Sequence, residues 1–198
     1  MVRKNETLNY YAQNAESFIS GTLDADMQDT RARFSAHLPP QGLILDFGCG
    51  SGRDTKAFLD AGFRVDAADG SPELCALASE YTGIEVKRML FTELDACGRY
   101  DGIWACASIL HLAREELQSV LGRIKNALKP GGVLYASFKY GEYEGLRGGR
   151  YFTDFTEETL TAFWHTATSM QVFDLWITVD VRPGREEERW INLLARRV

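Results

Sequence analysis

The run Ile44-Leu45-Asp46-Phe47-Gly48-Cys49-Gly50-Ser51-Gly52 constrains this chain more than any other stretch. A short apolar segment ends in an aspartate, three glycines follow at alternate positions, and a helix-like segment, Arg53–Ala61, comes next. A strand feeding a glycine turn and then a helix is the first crossover of a nucleotide-type α/β fold. The glycines accept positive φ and let a ligand lie against bare backbone, while the helix start offers unpaired N–H groups. Asp46 adds a carboxylate where the strand runs out, the edge at which such sheets bind ligands. The combination points to an adenosine-type ligand whose far end is charged but is not a phosphate.

The pattern around this run alternates. The first forty residues read as two helical pieces, one carrying Tyr10, Tyr11, Ala15 and Phe18 and a second over Met27–His37, before Leu38-Pro39-Pro40-Gln41-Gly42 breaks the chain. Strands are expected at Leu43–Phe47, Phe63–Ala68, Ile84–Leu90, Asp101–Ala107 and Val133–Phe138. Helices are expected at Arg53–Ala61, closed by Gly62, at Pro72–Tyr81, with Ser71 as N-cap and Pro72 at N1, and at Arg114–Leu128, stopped by Lys129-Pro130-Gly131-Gly132. Such βα alternation gives a mostly parallel sheet with helices on both faces. After a helix at Glu157–His165, two strands, Gln171–Val181 and Trp190–Ala195, joined by Arg182-Pro183-Gly184, predict a C-terminal antiparallel hairpin. The whole of 1–198 reads as one domain with a helical cap over 1–40. Residues 139–154, rich in Gly, Tyr and Arg and without periodicity, form a candidate lid.

A net charge of −6 and a pI near 5.2 argue against a general nucleic-acid binder. The start, Met1-Val2-Arg3-Lys4-Asn5-Glu6, has no apolar run behind it, and no stretch approaches transmembrane length, so the expectation is a cytoplasmic chain without a membrane partner. Cys49, Cys75, Cys97 and Cys106 lack CxxC spacing and read as reduced thiols; no metal site is expected. Nothing in the residues specifies an oligomeric state.

Dinucleotide enzymes want G-x-G-x-x-G, and here Arg53 stands where the third glycine would be, while Asp46 is a poor neighbour for a pyrophosphate. Asp69, 23 positions after Asp46 at the end of the second strand, suits two vicinal ribose hydroxyls. Asp46–Gly52, the Asp69-Gly70-Ser71 turn, Tyr100-Asp101-Gly102-Ile103-Trp104-Ala105 and Leu128-Lys129-Pro130-Gly131-Gly132 resemble the successive motifs of class I S-adenosylmethionine-dependent methyltransferases. The resemblance covers residues 43 to 138 and is nearest the small methyltransferase type 11 and tellurite-resistance-like enzymes.

That resemblance implies a Rossmann-like seven-stranded mixed sheet whose last strand runs antiparallel between neighbours. It implies S-adenosylmethionine as cofactor, leaving as S-adenosylhomocysteine. Gly48, Gly50 and Gly52 would pass under its methionine part, Asp46 would face its ammonium, and Asp69, Gly70 and Ser71 would hold the ribose. Where family members often carry an acidic residue for the adenine amino group, this chain has Leu90, so backbone groups of Leu90 and Phe91, with Met89 against the ring, would serve instead. Ala105 and Cys106 would follow at the end of the fourth strand.

Methyl transfer needs a base only where the acceptor must lose a proton. His111, just beyond the fourth strand, is the one histidine near the expected cofactor edge; its alternative role is a helix cap or half-buried ring. Tyr11 is either an aromatic lid or core packing, and Arg53 either a partner for the cofactor carboxylate or a solvated first-turn residue. Lys139, Tyr140, Tyr143, Arg150 and Tyr151 are candidates for substrate recognition. Cys49 reads as a small filler of the glycine turn. The function expected is methylation of a small molecule; the alternatives are a tRNA-modifying methyltransferase, a non-catalytic cofactor-binding module and, least favoured by the glycine spacing, a nicotinamide dehydrogenase.

Overall fold

Four of the five residues of β1 (Leu43–Phe47) are buried, as befits the centre of a sheet covered on both faces. In the computed structural model, which describes residues 2–198 with side chains from Glu6 onward, β1 pairs in parallel with β2 (Arg64–Asp69) and with β4 (Tyr100–Ala105). A short β3 (Val86–Arg88) extends the sheet beyond β2, and β5 (Leu128–Lys139) lies beyond β4. The sheet is completed by β8 (Gln171–Val179) and β9 (Arg189–Arg196), in the order β3-β2-β1-β4-β5-β9-β8. The last strand runs antiparallel to both neighbours. The expected seven-stranded, mostly parallel sheet with an antiparallel C-terminal hairpin is the one observed.

Strand alternation divides the core into two layers. Leu45 and Phe47 point to the layer filled by α6 (Arg114–Ala127) and α7 (Glu157–Ala167), where Leu117, Val120, Leu121 and Ile124 form the buried stripe of α6. Each such leucine contributes roughly 1.5–3 kcal/mol of burial. Ile44 and Trp104 point the other way, to Phe34 of α3 (Gln28–Ser35) and Phe58 of α4 (Arg53–Asp60). In that layer the Trp104 ring stacks on Tyr135 at 4.0 Å. Before β3 comes α5 (Pro72–Thr82), begun by Ser71, whose hydroxyl accepts from the Leu74 amide at 3.3 Å.

Four expectations are corrected. The N-terminal region holds three helices rather than two: α1 (Val2–Gln13), α2 (Ala15–Thr22) and α3. The third expected strand shrinks to Val86–Arg88, because Leu90 begins a 3₁₀ turn over Phe91–Glu93. Lys129–Gly132 does not separate α6 from a strand; β5 runs through it, with a register shift against β4 and a positive φ at Gly131. Finally, 139–154 is not an irregular loop, since β6 (Glu144–Arg147) and β7 (Arg150–Thr153) form a hairpin. Gly148 and Gly149 both have positive φ, which a two-residue primed turn demands. The hairpin leans on α1, where the Tyr151 amide donates to the Thr7 hydroxyl at 3.0 Å.

Two glycine substitutions separate strain from propensity. Gly52 has φ +77°, and an added Cβ would lie 2.7 Å from Thr82 Cγ2, whereas Gly122 within α6 has open space. Gly52→Ala is therefore expected to destabilise by about 2–5 kcal/mol, from left-handed strain plus overpacking. Gly122→Ala should stabilise by about 0.5–1 kcal/mol. Thermal melts of the two variants check both signs.

Candidate active site

The C-terminal edge of β1, β2, β4 and β5 opens into a cleft of about 1300 Å³. Its floor is the turn after β1. Gly48 and Gly50 have φ of +83° and +56°, and a Cβ on Gly48 would lie 2.5 Å from Ser108 Cβ, so the turn cannot carry side chains there. Asp69, at the end of β2, accepts from the Gly50 amide at 3.0 Å on one carboxylate oxygen and from the Ser71 amide at 2.9 Å on the other. Each oxygen keeps lone pairs towards the cleft. Burial raises its pKa, and the backbone N–H groups oppose the rise.

Two further carboxylates are sunk into the floor. Asp54 is 5% exposed and accepts from Arg31 at 2.7 Å, from Arg53 at 3.0 and 2.6 Å, and from the Trp104 indole at 2.9 Å. Burial pushes its pKa up, but the two guanidinium groups outweigh that and hold it below the usual carboxylate range. Asp46 is 2% exposed, and the only side-chain donor to it among the described residues is the Thr55 hydroxyl, at 2.6 Å. Burial, with the nearby charge of Asp54 adding to it, raises Asp46 to about 7.

The roof comes from distant parts of the chain. His111 ends a 3₁₀ turn over Ile109–His111. Its Nδ1 lies 2.6 Å from the Tyr151 carbonyl and its Nε2 lies 2.9 Å from the Tyr11 hydroxyl. A carbonyl only accepts, so Nδ1 carries the proton, and neutral Nε2 accepts from Tyr11 O–H. Burial, aided by the charges of Arg150 and Arg147, lowers His111 to about 4, against the contrary pull of the Tyr151 carbonyl. Tyr11 itself is raised by burial. The Phe18 ring packs edge-on to Tyr11, with centroids 5.1 Å apart, and covers Gly50.

Of the residues expected around the cofactor, Tyr11, Asp46, Gly48, Gly50, Arg53, Asp69, Gly70, Met89, Leu90, Phe91 and Cys106 line this cleft, together with His111. Gly52, Ser71 and Ala105 stand behind its wall. Gly52 packs α4 against α5, Ser71 is spent on capping α5, and Ala105 is wholly buried in the core. Arg53 reaches the cleft but is neither free nor solvated, because both edges of its guanidinium are taken up by Asp54 and the Thr22 carbonyl. The Leu90 amide is occupied by the Glu93 carboxylate at 2.8 Å, so it is not an open donor for a ligand. Cys106 is pushed up to about 12 by burial and is no nucleophile. The sequence reading missed Phe18 and the β8–β9 residues Asp180, Trp190 and Asn192, which also line the cleft. The apolar spacing Tyr11–Ala15–Phe18 was the available signal for the first; nothing in the sequence ties the others to the glycine turn. No group of three or more potential metal ligands occurs among the described residues, and no helix among them is long and apolar enough to cross a membrane.

This sheet order and this cleft define the class I methyltransferase fold. Residues 44–132 match the family model described as a methyltransferase domain. The glycine/sarcosine N-methyltransferase of Halorhodospira halochloris is 32% identical over 158 residues, covering 71% of this chain and 58% of its own length. The cypemycin N-terminal methyltransferase of a Streptomyces species is 33% identical over 107 residues, covering 51% of this chain and 44% of its own. The chain thus spans about half the length of the curated relatives it matches. The Burkholderia thailandensis 1,6-didemethyltoxoflavin N1-methyltransferase, solved with its substrate and S-adenosylhomocysteine, superposes with a TM-score of 0.72 at 27% identity, over 95% of this chain and 88% of that one. Residues 44–132 thus carry a methyltransferase domain on the class I S-adenosylmethionine-dependent fold, and S-adenosylmethionine is the cofactor of such domains.

The Asp46 shift has a measurable sign. Its folded pKa, about 7, exceeds the unfolded value, so its contribution to stability is intact below about pH 4 and is lost as pH rises through about 7. Asp46→Asn is expected to gain stability relative to the parent chain by roughly 3–5 kcal/mol between pH 4 and 8 in the absence of ligand. Denaturant melts across that range check it.

Proposed function

We propose that this chain methylates a nitrogen of a small organic molecule, with Tyr11 and His111 managing the proton that the acceptor loses. The observation that carries the reading is the hydrogen-bonded pair of Tyr11 and His111, 2.9 Å apart and both in the cleft wall. Support for nitrogen comes from the relatives: one is named as a glycine/sarcosine N-methyltransferase, one as a cypemycin N-terminal methyltransferase, and one as a 1,6-didemethyltoxoflavin N1-methyltransferase.

The residues fit the cofactor. Asp69 keeps a free lone pair on each oxygen for two vicinal hydroxyls, with Gly70 beside it. Asp46 is a buried carboxylate with a single neutral donor, an arrangement that a bound ammonium completes. Met89, Leu90 and Phe91 offer an apolar slot for the adenine, while Gly48 and Gly50 bring bare backbone to the methionine chain. Tyr11 and Phe18 close over it and exclude water. When bound, S-adenosylmethionine supplies an electrophilic methyl group on a sulfonium centre.

A neutral amine or ring N–H must shed one proton on methylation. Tyr11 can receive it on its oxygen as its own hydroxyl proton passes to His111 Nε2, and the Tyr151 carbonyl steadies the imidazolium through Nδ1–H. Burial makes that imidazolium short-lived, so the pair relays the proton rather than storing it. A sulfur or metalloid nucleophile would need no such device.

Labelled-methyl transfer against pooled amines, N-heterocycles, amino acids, thiols and bulk tRNA is expected to place label on nitrogen of a small molecule. Label found only in tRNA or on sulfur would overturn the reading. S-adenosylhomocysteine should raise the melting temperature and NAD should not, and Asp69→Ala should abolish the rise. Its affinity should increase about tenfold from pH 6 to 8, an increase that Asp46→Asn removes. Tyr11→Phe and His111→Gln should each lower kcat by about ten- to a hundredfold while leaving S-adenosylhomocysteine affinity within a few-fold.

A further inference from the structure

The outer half of the cleft is rich in charge, and much of it is paired internally, while Arg189, without an ion pair among the described residues, is exposed and lies over the Tyr140 ring at 4.4 Å. Lys139 meets Glu188 and, at 3.4 Å, Asp180; Arg182 meets Asp180 at 2.5 Å; Arg147 meets Asp154 at 3.0 Å; Arg185 meets Glu188 at 3.4 Å. Arg150 is the exception on the roof. Among the described residues its side chain joins no ion pair, its Nε is buried without a hydrogen-bond partner, and its one side-chain hydrogen bond is long, 3.5 Å from Nη1 to the Tyr11 hydroxyl. Its charge is held by rings instead, with Tyr10 at 4.5 Å, Phe152 at 5.2 Å and Tyr11 at 5.8 Å. Aromatic faces hold a cation but leave the in-plane N–H fork unused, and a guanidinium with idle donors in a partly dry site is costly.

Its position says what would use those donors. Arg150 follows the Gly148-Gly149 turn and lines the cleft, so the hairpin presents it beside the Tyr11–His111 pair. The floor, by contrast, is acidic, with Asp46 and Asp69 suited to cationic and hydroxyl groups. We infer that Arg150 anchors a carboxylate of the methyl acceptor, and that the acceptor is an amino-carboxylate whose nitrogen lies within a few bonds of that carboxylate. The spacing follows from the roof: the Tyr11 hydroxyl and Arg150 Nη1 are 3.5 Å apart, so one short molecule can place a nitrogen on the first and a carboxylate on the second. A planar carboxylate matches the fork, and the surrounding rings suit a flat or short apolar frame. Arg147 is held back by Asp154, so it does not compete for the same group.

This inference rests on the proposed methyl-transfer reading, and the test separates the two. Calorimetric titration of the S-adenosylhomocysteine-loaded protein with acetate, glycine and anthranilate, each beside its neutral amide, is expected to show at least one carboxylate binding ten- to a hundredfold more tightly than its amide. Arg150→Gln should erase that preference while S-adenosylhomocysteine affinity stays within twofold, which also shows that the variant is folded. Arg150→Lys, keeping charge but losing the fork, should recover part of it. If no carboxylate outbinds its amide, or if the preference survives in Arg150→Gln, the anchor is overturned. A tenfold loss of S-adenosylhomocysteine affinity in Arg150→Gln would likewise overturn it, by assigning Arg150 to the cofactor. Failure of the parent chain to bind S-adenosylhomocysteine would instead sink the reading beneath it.

Discussion

The hydrogen bonds from the Gly50 and Ser71 amides to the two oxygens of Asp69 hold the turn after β1 and the turn after β2 in one piece. They act beside the Gly48 and Cys49 amides, which both donate to the Ala68 carbonyl, at 2.8 and 3.0 Å, so the glycine turn is tied to β2 through backbone and carboxylate together. Three carboxylates meet at that joint, Asp46 and Asp54 buried and Asp69 half-buried, and they differ in how fully they are compensated. Asp54 has two guanidinium groups and an indole and is ionised structure. Asp69 has two backbone donors and keeps half of its accepting capacity. Asp46 has one hydroxyl and sits near its own midpoint at neutral pH. The order of compensation is the reverse of the order of availability to a ligand, so the electrostatics of the floor alone separate scaffold from site.

Much of this was readable in the residues. An uninterrupted apolar run with glycines behind it has few structural solutions, and the Ser71-Pro72 start fixes α5 by local chemistry that needs no tertiary context. The site was less legible where a side chain's partner lies far away in the chain. Arg53 reads as a free first-turn cation until Arg31 and Trp104 turn out to share its carboxylate. Gly52 belongs by spacing to a ligand turn, yet the space it vacates is filled by Thr82. The hairpin escaped because its two strands are only four residues each and one is largely exposed, so period-two alternation had nothing to act on. Its Gly148-Gly149 pair was the legible signal of a tight turn.

The roof has a different logic from the floor. Tyr11, His111 and Tyr151 come from the first helix, the segment after β4 and the hairpin, and one neutral imidazole joins all three. Removing that ring would take away the acceptor of the Tyr11 hydroxyl and the donor to the Tyr151 carbonyl, so its structural role and the proposed proton relay rest on the same two hydrogen bonds. A buried, neutral histidine is well matched to this double duty, since any lasting charge on it would loosen the contacts that position it.

The tight Gly148-Gly149 turn also divides the molecule by how easily it can change. The floor is locked into a parallel sheet, where a single inserted residue would shift register and move every ligand contact. The hairpin packs on the core through Tyr151, Phe152 and Thr153, but its Gly148-Gly149 tip is exposed, so the tip can lengthen or shorten without disturbing β1 or β2. If the acceptor is read at the hairpin as proposed, descendants of such a chain can change acceptor at the tip while the floor beneath it stays as it is.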